Sequence, residues 1–345
     1  MNAARLRAIT SAYPGLRVGV MGDFCLDRYL EIDPGRGEIS IETGLPVHNV
    51  THVRSQPGAA GTILNNLVAL GVGCLYPVGF CGRDGEGYEL RRALSARPGV
   101  RLEYFCETDQ RRTFTYCKPL LMRPGQPPEE LNRLDSKNWT PTPESVQEQL
   151  IAALASLAGQ VDALILMDQV DLPETGVVTS RLLEAVRVLA GQHPELLILA
   201  DSRRSLRGYP PVCLKMNAAE LTALTGMSSQ ADTKEIVHKA VELARHQGRP
   251  VFVTLAERGI VGASADGPSA HVPALPLRGE IDIVGAGDAV TANLTAALAA
   301  GASVAEAVEI ANVAASIVIH QLGTTGTAGV GQIQALFELV AASPS

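Results

Sequence analysis

The chain has no Cys-x-x-Cys pair and no Cys/His cluster with the spacing of a zinc site. Its six cysteines stand apart, at positions 25, 74, 81, 106, 117 and 213, so they read as reduced, mostly buried thiols of a cytoplasmic protein. No long basic run is present and the formal net charge is -7, which argues against a nucleic-acid partner. The most apolar stretch, residues 289–300, is short and interrupted by Thr and Asn, too little to span a bilayer. Residues 1–17 hold no long apolar run, so no signal peptide is expected. Internal repeats, low-complexity tracts and clean linkers are also missing. What is present is a chain of 345 residues, 46% hydrophobic and 19% charged, the balance of a globular protein with a large core.

Short apolar runs at 17–21, 74–78, 163–167, 196–200, 214–216 and 251–255 read as buried strands. Between them, residues 62–70, 180–190, 236–246, 290–300 and 304–319 carry helical periodicity, as in Ile63, Leu64, Leu67 and Leu70. Thr142-Pro143 reads as the N-cap and first-turn proline of a further helix, to about residue 157. This alternation predicts an α/β fold, a mainly parallel sheet with helices on both faces. Segments 46–53 and 112–121 are too polar for such a sheet. They predict a small β lid, with strands from about 28–57 and 100–121, on a single domain spanning 1–345.

The richest stretch for chemistry is Asp282-Ile-Val-Gly285-Ala286-Gly287-Asp288. A glycine turn that opens a helix presents backbone N–H groups, and the helix dipole favours an anion there. A carboxylate is the wrong group to bind an anion, so Asp288 is better suited to take a proton from a hydroxyl beside a held phosphate. The bland reading is a strand-to-helix turn with an acid in the first helical turn. Asn217-Ala-Ala-Glu220 admits two readings: a capping box, or an Asn and a Glu facing a triphosphate, with Glu220 organising Mg²⁺ through water. Gly58-Ala-Ala-Gly61 is either a close-packed helix start or a backbone approach to a polyhydroxylated ligand. The segment from Gly79 to Gly87 reads as a glycine-rich turn and helix start. Asp23 and Asp27 follow a strand end, where ligands of open α/β sheets gather; they can bind sugar hydroxyls or cap a turn.

Together these motifs resemble the ribokinase-like sugar kinases of the phosphofructokinase-B family, in order and along nearly the whole chain. Residues 282–288 are similar to the family's C-terminal signature, and 58–66 with 78–87 to its N-terminal one. Asn217-x-x-Glu220 and residues 253–259 are similar to two nucleotide-side segments. Within the family, Gly22-Asp23-Phe-Cys-Leu-Asp27-Arg28-Tyr29, residues 39–42, Arg133-Leu-Asp135, residues 311–315 and Leu322-Gly-Thr-Thr325 resemble the kinase domain of ADP-heptose synthases, which phosphorylate the anomeric hydroxyl of a heptose 7-phosphate.

The resemblance implies a three-layer ribokinase-like fold and an ATP- and Mg²⁺-dependent kinase. It implies Asp288 as base, with Gly285, Ala286 and Gly287 in the turn and the N–H groups of Ala286, Gly287 and Asp288 as an anion hole. Asn217 and Glu220 would stand near phosphates and magnesium, and Thr254, Gly259 and Asn312 would line the nucleotide pocket. Asp23, Asp27, Gly58, Thr62 and Asp168 would face the sugar. Arg111, Arg112 and Lys118 on the lid can grip a substrate phosphate, or are simply exposed charges. A homodimer through the lid and a monovalent cation are further implications, without a local residue argument. The chain departs from its relatives at Thr62 (usually Asn), at Ala256 (usually Gly) and at residues 169–172, where a Tyr, a Lys and a Gly of the heptose-kinase pattern are replaced. Two other functions stay open: a kinase for an unphosphorylated sugar or nucleoside, and a catalytically silent sugar- or nucleotide-binding regulator.

Overall fold

The computed structural model describes residues 1–323 and 325–342; Thr324 of the Leu322-to-Thr325 motif lies outside them. Its main sheet has nine strands. In spatial order they are Ala270–Val272, Ile260–Ala263, Val251–Thr254, Cys213–Asn217, Leu197–Ser202, Ala163–Asp168, Arg17–Gly22, Cys74–Gly82 and Phe105–Thr108. The seven strands from Val251–Thr254 onward pair in parallel. The first two add an antiparallel edge.

Alternation along these strands feeds two cores. Val18, Val20 and Ile165 point into one, while Met21, Leu164 and Leu166 point into the other. Helices Ala60–Ala69, Ala286–Ala299 and Val304–Val318 cover the first face. Helices Glu144–Leu157, Ser180–Gln192 and Thr233–Gln247 cover the second. This is the three-layer α/β arrangement that the strand–helix alternation predicts. The helix Ala60–Ala69 shows why it forms: Ile63, Leu64 and Leu67 share one stripe and are fully buried, each worth about 1.5–3 kcal/mol of transfer free energy. No helix of the described residues is long and apolar enough to cross a membrane.

A second sheet stands over the carboxyl ends of the main strands. Its order is Val50–Ala59, Phe24–Ile32, Thr115–Leu121 and Glu129–Glu130. The polar segments did belong to a separate layer, but its outline differs from the sequence reading. The segment 46–53 divides into Pro46–Val47, which pairs with Glu38–Ile39, and the longer strand Val50–Ala59. Of 100–121, Phe105–Thr108 extends the main sheet instead.

Other differences have local causes. Thr142 is not the N-cap: Pro143 occupies that position, and the Thr142 hydroxyl donates to the Gly176 carbonyl, 2.7 Å. The helix start expected in the Gly79-to-Gly87 segment is there, as the helix Gly85–Ser95 whose cap, Asp84, accepts from the Gly87 N–H. The helix Val330–Ala342 buries only Ile333 and Leu336, too weak an apolar stripe to stand out.

The chain crosses from one sheet to the other in a single residue, Asp23, between Arg17–Gly22 and Phe24–Ile32. Gly22 makes that passage possible. A Cβ there would collide with the Met167 carbonyl and sit 2.9 Å from the Met167 Cβ. Gly22→Ala should therefore destabilise the protein by about 2–3 kcal/mol, the scale of overpacking a close-packed interior; chemical denaturation followed by far-UV circular dichroism measures it.

Candidate active site

Parallel strands end on the same edge of the main sheet, so Asp23, Asp168, Asp201, Lys215 and Asn217 are brought to one rim. Asp23 is 4% exposed. One carboxylate oxygen accepts the N–H groups of Gln169 and Val170 at 2.8 and 3.2 Å, and the other accepts that of Val177 at 2.6 Å. Burial and the nearby Asp168 push its carboxyl up to about 6, against the pull of those three donors. With both oxygens taken, Asp23 ties the 169–177 loop to the sheet crossing. Both its oxygens are thus engaged within the protein, where a sugar contact was expected.

Asp27 behaves differently. It is 7% exposed and accepts no hydrogen bond from the described residues. Burial raises its carboxyl, opposed by the charges of Lys118 and Arg133. Gly58 lies opposite on the neighbouring strand: a Cβ there would come 2.5 Å from Asp27 Oδ2 and 2.7 Å from Cys25 Sγ. The glycine lets a buried carboxylate lie flat against backbone with its acceptor capacity unspent. Thr62 stands beside it at the start of the Ala60–Ala69 helix, its Cγ2 3.7 Å from where a Gly285 Cβ would be.

Gly285 adopts a left-handed backbone, φ 83°, as N-cap of the helix Ala286–Ala299. Only glycine takes that conformation cheaply, and a Cβ would also strike Thr325, 2.6 Å away. The Ala286 N–H donates back to the Ile283 carbonyl at 3.2 Å, so it drops out of the expected anion hole. The N–H groups of Gly287 and Asp288 have no acceptor among the described residues and are open to a ligand. Asp288 is half-buried at the floor of the cleft, also without a hydrogen bond from the described residues. Burial and the neighbouring Asp201 push its carboxyl up to about 7, while Lys215 and Arg203 oppose the rise.

Beneath the turn lies a group that the sequence did not flag. Lys215 and Asp201, 6% and 5% exposed, form an ion pair of 2.8 Å. Thr291 also donates to Asp201 Oδ2 at 2.8 Å. The Lys215 ammonium is 3.1 Å from where a Gly287 Cβ would stand, so the glycine brings a buried cation directly under the anion turn. Lys215 looked like one residue of a short apolar strand. Its position just before Asn217, at a strand's carboxyl end, was the available signal.

Asn217 and Glu220 complete the capping box reciprocally: Glu220 N–H to Asn217 Oδ1 at 2.9 Å, Asn217 N–H to Glu220 Oε2 at 2.7 Å. The box uses one atom of each side chain and leaves Asn217 Nδ2 and Glu220 Oε1 unengaged. Burial raises the Glu220 carboxyl. No group of three or more His, Cys, Asp or Glu among the described residues can hold a metal. A single half-buried carboxylate with a spare oxygen suits Mg²⁺ that keeps most of its waters and rides on substrate phosphates.

The remaining residues expected on a nucleotide side make mostly architectural contacts. The Thr254 hydroxyl donates to the Met216 carbonyl at 3.5 Å. Gly259, φ 93°, passes so close to the Val272 carbonyl that no side chain fits. The Asn312 amide donates to the Pro273 carbonyl at 2.8 Å. Just past the end of the same helix, His320 accepts the Arg278 N–H at 2.9 Å, and the Ile319 carbonyl accepts the Asp282 N–H at 2.8 Å. These bonds dock the loop that leads into the Gly285 turn. Ala256 has φ 52°, the conformation that the family's glycine accommodates.

Asp168 has no face toward the cleft. It is fully buried, and its Oδ2 accepts from Ser202 and Arg204, each at 2.8 Å. The contacts it makes are internal ones, where a sugar contact was expected. Arg111 donates to the Thr140 and Pro141 carbonyls, and Arg112 pairs with Asp84 and Glu86; neither is free for a phosphate. Lys118 forms no ion pair among the described residues. It lies 5.1 Å from the centre of the Tyr29 ring, with its charge felt by Asp27.

Comparison with known proteins agrees with this geometry. Residues 36–328 match the family described as pfkB family carbohydrate kinase. The bifunctional protein HldE of Gluconacetobacter diazotrophicus is 30% identical over 323 residues, covering 94% of this chain and 64% of that protein. HldE of Hyphomonas neptunium is 32% identical over 325 residues, covering 93% and 64%. The chain thus spans about 64% of the length of these relatives. Among solved structures, Arabidopsis thaliana ribokinase complexed with ribose and ATP is similar at TM-score 0.63 and 19% identity, covering 95% of this chain and 99% of that one. Escherichia coli phosphofructokinase-2 in complex with fructose-6-phosphate gives TM-score 0.68 at 19% identity, covering 94% and 99%. At these identities the likeness establishes the fold.

Two measurements probe the electrostatics. Asp288→Asn should raise the melting temperature at pH 8, because the folded protein holds that carboxylate above its ordinary value and its ionisation opposes folding. The advantage should shrink as pH falls from about 7 toward 4, where the wild-type carboxyl is protonated in the fold (about 7); a pH-independent difference would refute the assignment. Lys215→Met should cost about 3–5 kcal/mol in chemical denaturation, since it strands the Asp201 charge.

Proposed function

The chain belongs to the pfkB family of carbohydrate kinases, and on that premise we propose that it transfers the terminal phosphoryl group of ATP to a hydroxyl of a sugar or sugar phosphate. One observation carries this reading. Asp288, a carboxylate with no protein partner and held near neutrality (about 7), shares its turn with two unspent N–H groups and a buried ammonium.

In this reading Asp27 accepts a hydroxyl of the acceptor sugar and helps to fix its orientation, with Gly58 and Thr62 shaping that side. Asp288 takes the proton from the attacking hydroxyl. The new bond forms between that oxygen and the transferred phosphorus as the bond to the bridging oxygen of the donor breaks. The Gly287 and Asp288 N–H groups and Lys215 offset the charge that develops on the phosphoryl oxygens. Glu220 would hold Mg²⁺ through water, and the ion would supply charge neutralisation on the donor phosphates. The small sheet would act as a lid that excludes water from the transfer.

Similarity to HldE, together with the Gly22-to-Tyr29 motif, supports a heptose 7-phosphate phosphorylated at the anomeric position as the acceptor. In this reading Lys118, whose charge acts on Asp27, would meet a substrate phosphate. ATP consumption across a panel of sugars and sugar phosphates, heptose 7-phosphate included, tests the reading. Turnover confined to unphosphorylated sugars would discard the sugar-phosphate acceptor. Asp288→Asn should lower kcat by about 10² or more, the scale of general-base catalysis; a loss below about tenfold would remove Asp288 from that role.

A further inference from the structure

Alternation gives the small sheet two faces of different character. Arg28 and Ser55 stand opposite each other in register, and both donate to Glu89 of the helix Gly85–Ser95, at 2.8 and 2.6 Å. That face rests on the main body. Asp27 and Tyr29 flank Arg28 in the strand and so point the other way. Their register partners share that second face: Gln56 and Arg54 on Val50–Ala59, Tyr116 and Lys118 on Thr115–Leu121. It is joined to the anion turn, because Gln56 Nε2 donates to Thr325 Oγ1 at 3.4 Å and Thr325 is the residue that a Gly285 Cβ would strike.

Two rows of side chains cross this second face. The first is Gln56, Asp27 and Tyr116; the next, two residues along each strand, is Arg54, Tyr29 and Lys118. In that next row two cations converge on one ring, Arg54 Cζ at 4.7 Å and Lys118 Nζ at 5.1 Å from the Tyr29 centroid. The electron-rich ring face holds them close together despite their like charge. Lys118 has no ion pair among the described residues. Arg54 donates its Nε–H to Glu31 at 2.6 Å, which leaves its Nη groups unspent. The cations beside Tyr116 are committed more fully. Arg133, 4.4 Å from that ring centroid, gives two N–H groups to Asp135, and Lys137, at 5.9 Å, pairs with Asp171 at 2.7 Å.

We propose that the row Arg54–Tyr29–Lys118 is the subsite for a phosphate monoester carried by the acceptor sugar, an assignment that rests on the kinase reading and deepens it. Lys118 supplies the unpaired charge, and the Arg54 Nη groups supply donors to a second phosphate oxygen. The two rows also set a spacing. Two residues of strand advance about 7 Å, so the phosphate lies about 7 Å beyond the sugar hydroxyl that donates to Asp27. A phosphate on a carbon next to that hydroxyl falls short of the second row, whereas one at the far end of the sugar reaches it. The small sheet therefore selects an acceptor by where its phosphate stands as well as by its charge.

Calorimetric binding without nucleotide tests the subsite. The probes are heptose 7-phosphate and fructose 6-phosphate, each beside its unphosphorylated sugar, on the wild type, Lys118→Met, Lys118→Arg and Arg54→Gln. The wild type should bind one or both phosphates at least about tenfold more tightly than the parent sugar. Lys118→Met should weaken that sugar phosphate about 10- to 100-fold, as for the loss of a hydrogen bond to a charged group, and the parent sugar by less than about threefold. Arg54→Gln should lose about three- to tenfold with the same selectivity. Lys118→Arg should keep most of the affinity, which separates loss of charge from a failure to fold. Equal weakening of phosphorylated and parent sugar, or unchanged sugar-phosphate binding by Lys118→Met, overturns the subsite. A wild type that prefers neither phosphate to its parent sugar also overturns it, and leaves the kinase reading to be decided by ATP consumption.

Discussion

The two layers of this protein meet through one carboxylate. At Asp23 the chain leaves the main sheet for the small one, and the side chain there receives three backbone N–H groups from the 169–177 loop. Its backbone is tied as firmly, the N–H to the Met167 carbonyl and the carbonyl to the Ala60 N–H. A buried carboxylate is costly unless its acceptor sites are filled. Filling them fixes the relative placement of the strand that carries Asp27, the loop and the helix that begins beside Thr62. The cleft geometry follows from that placement.

Within the cleft, charge is arranged so that one acid is spent and another is kept. Asp201 is bound to Lys215 and Thr291, its Oδ2 accepting from both. Asp288, close by, receives no such bond and rises toward neutrality. Two carboxylates of the same chemistry thus take different roles according to what donates to them. Asp23 and Asp27 repeat the division, the first bonded to three backbone N–H groups and the second without a hydrogen bond from the described residues. The folded state bears the strain of unsatisfied acids at the positions where a ligand would supply the missing donors.

Much of the fold was legible because it depends on local patterns. Apolar runs of strand length alternate with helical stripes, and the glycines at 58, 285 and 287 stand where the backbone must turn or approach closely. The misses have a common character. Strands of three or four residues at the antiparallel edge are too short to show a period, and the helix Val330–Ala342 buries two large residues only. Asp23 was placed at the cleft because a strand ends there, and Asp168 on the resemblance alone. Which way a side chain at a strand end points, and what donates to it, is set by loops distant in sequence.

The sequence by itself determined the α/β class, the order of its elements and the motif that holds Asp288 at a helix start, since each is written within a few consecutive residues. Only the tertiary structure decided which charged groups remain free. Lys215 became a site residue because Gly287, seventy-two positions later, leaves room for its ammonium (Gly287 Cβ position to Nζ 3.1 Å). Arg111 and Arg112 were lost to the protein's own acceptors. Hydrogen bonding and burial are properties of neighbours, and neighbours are assigned by folding.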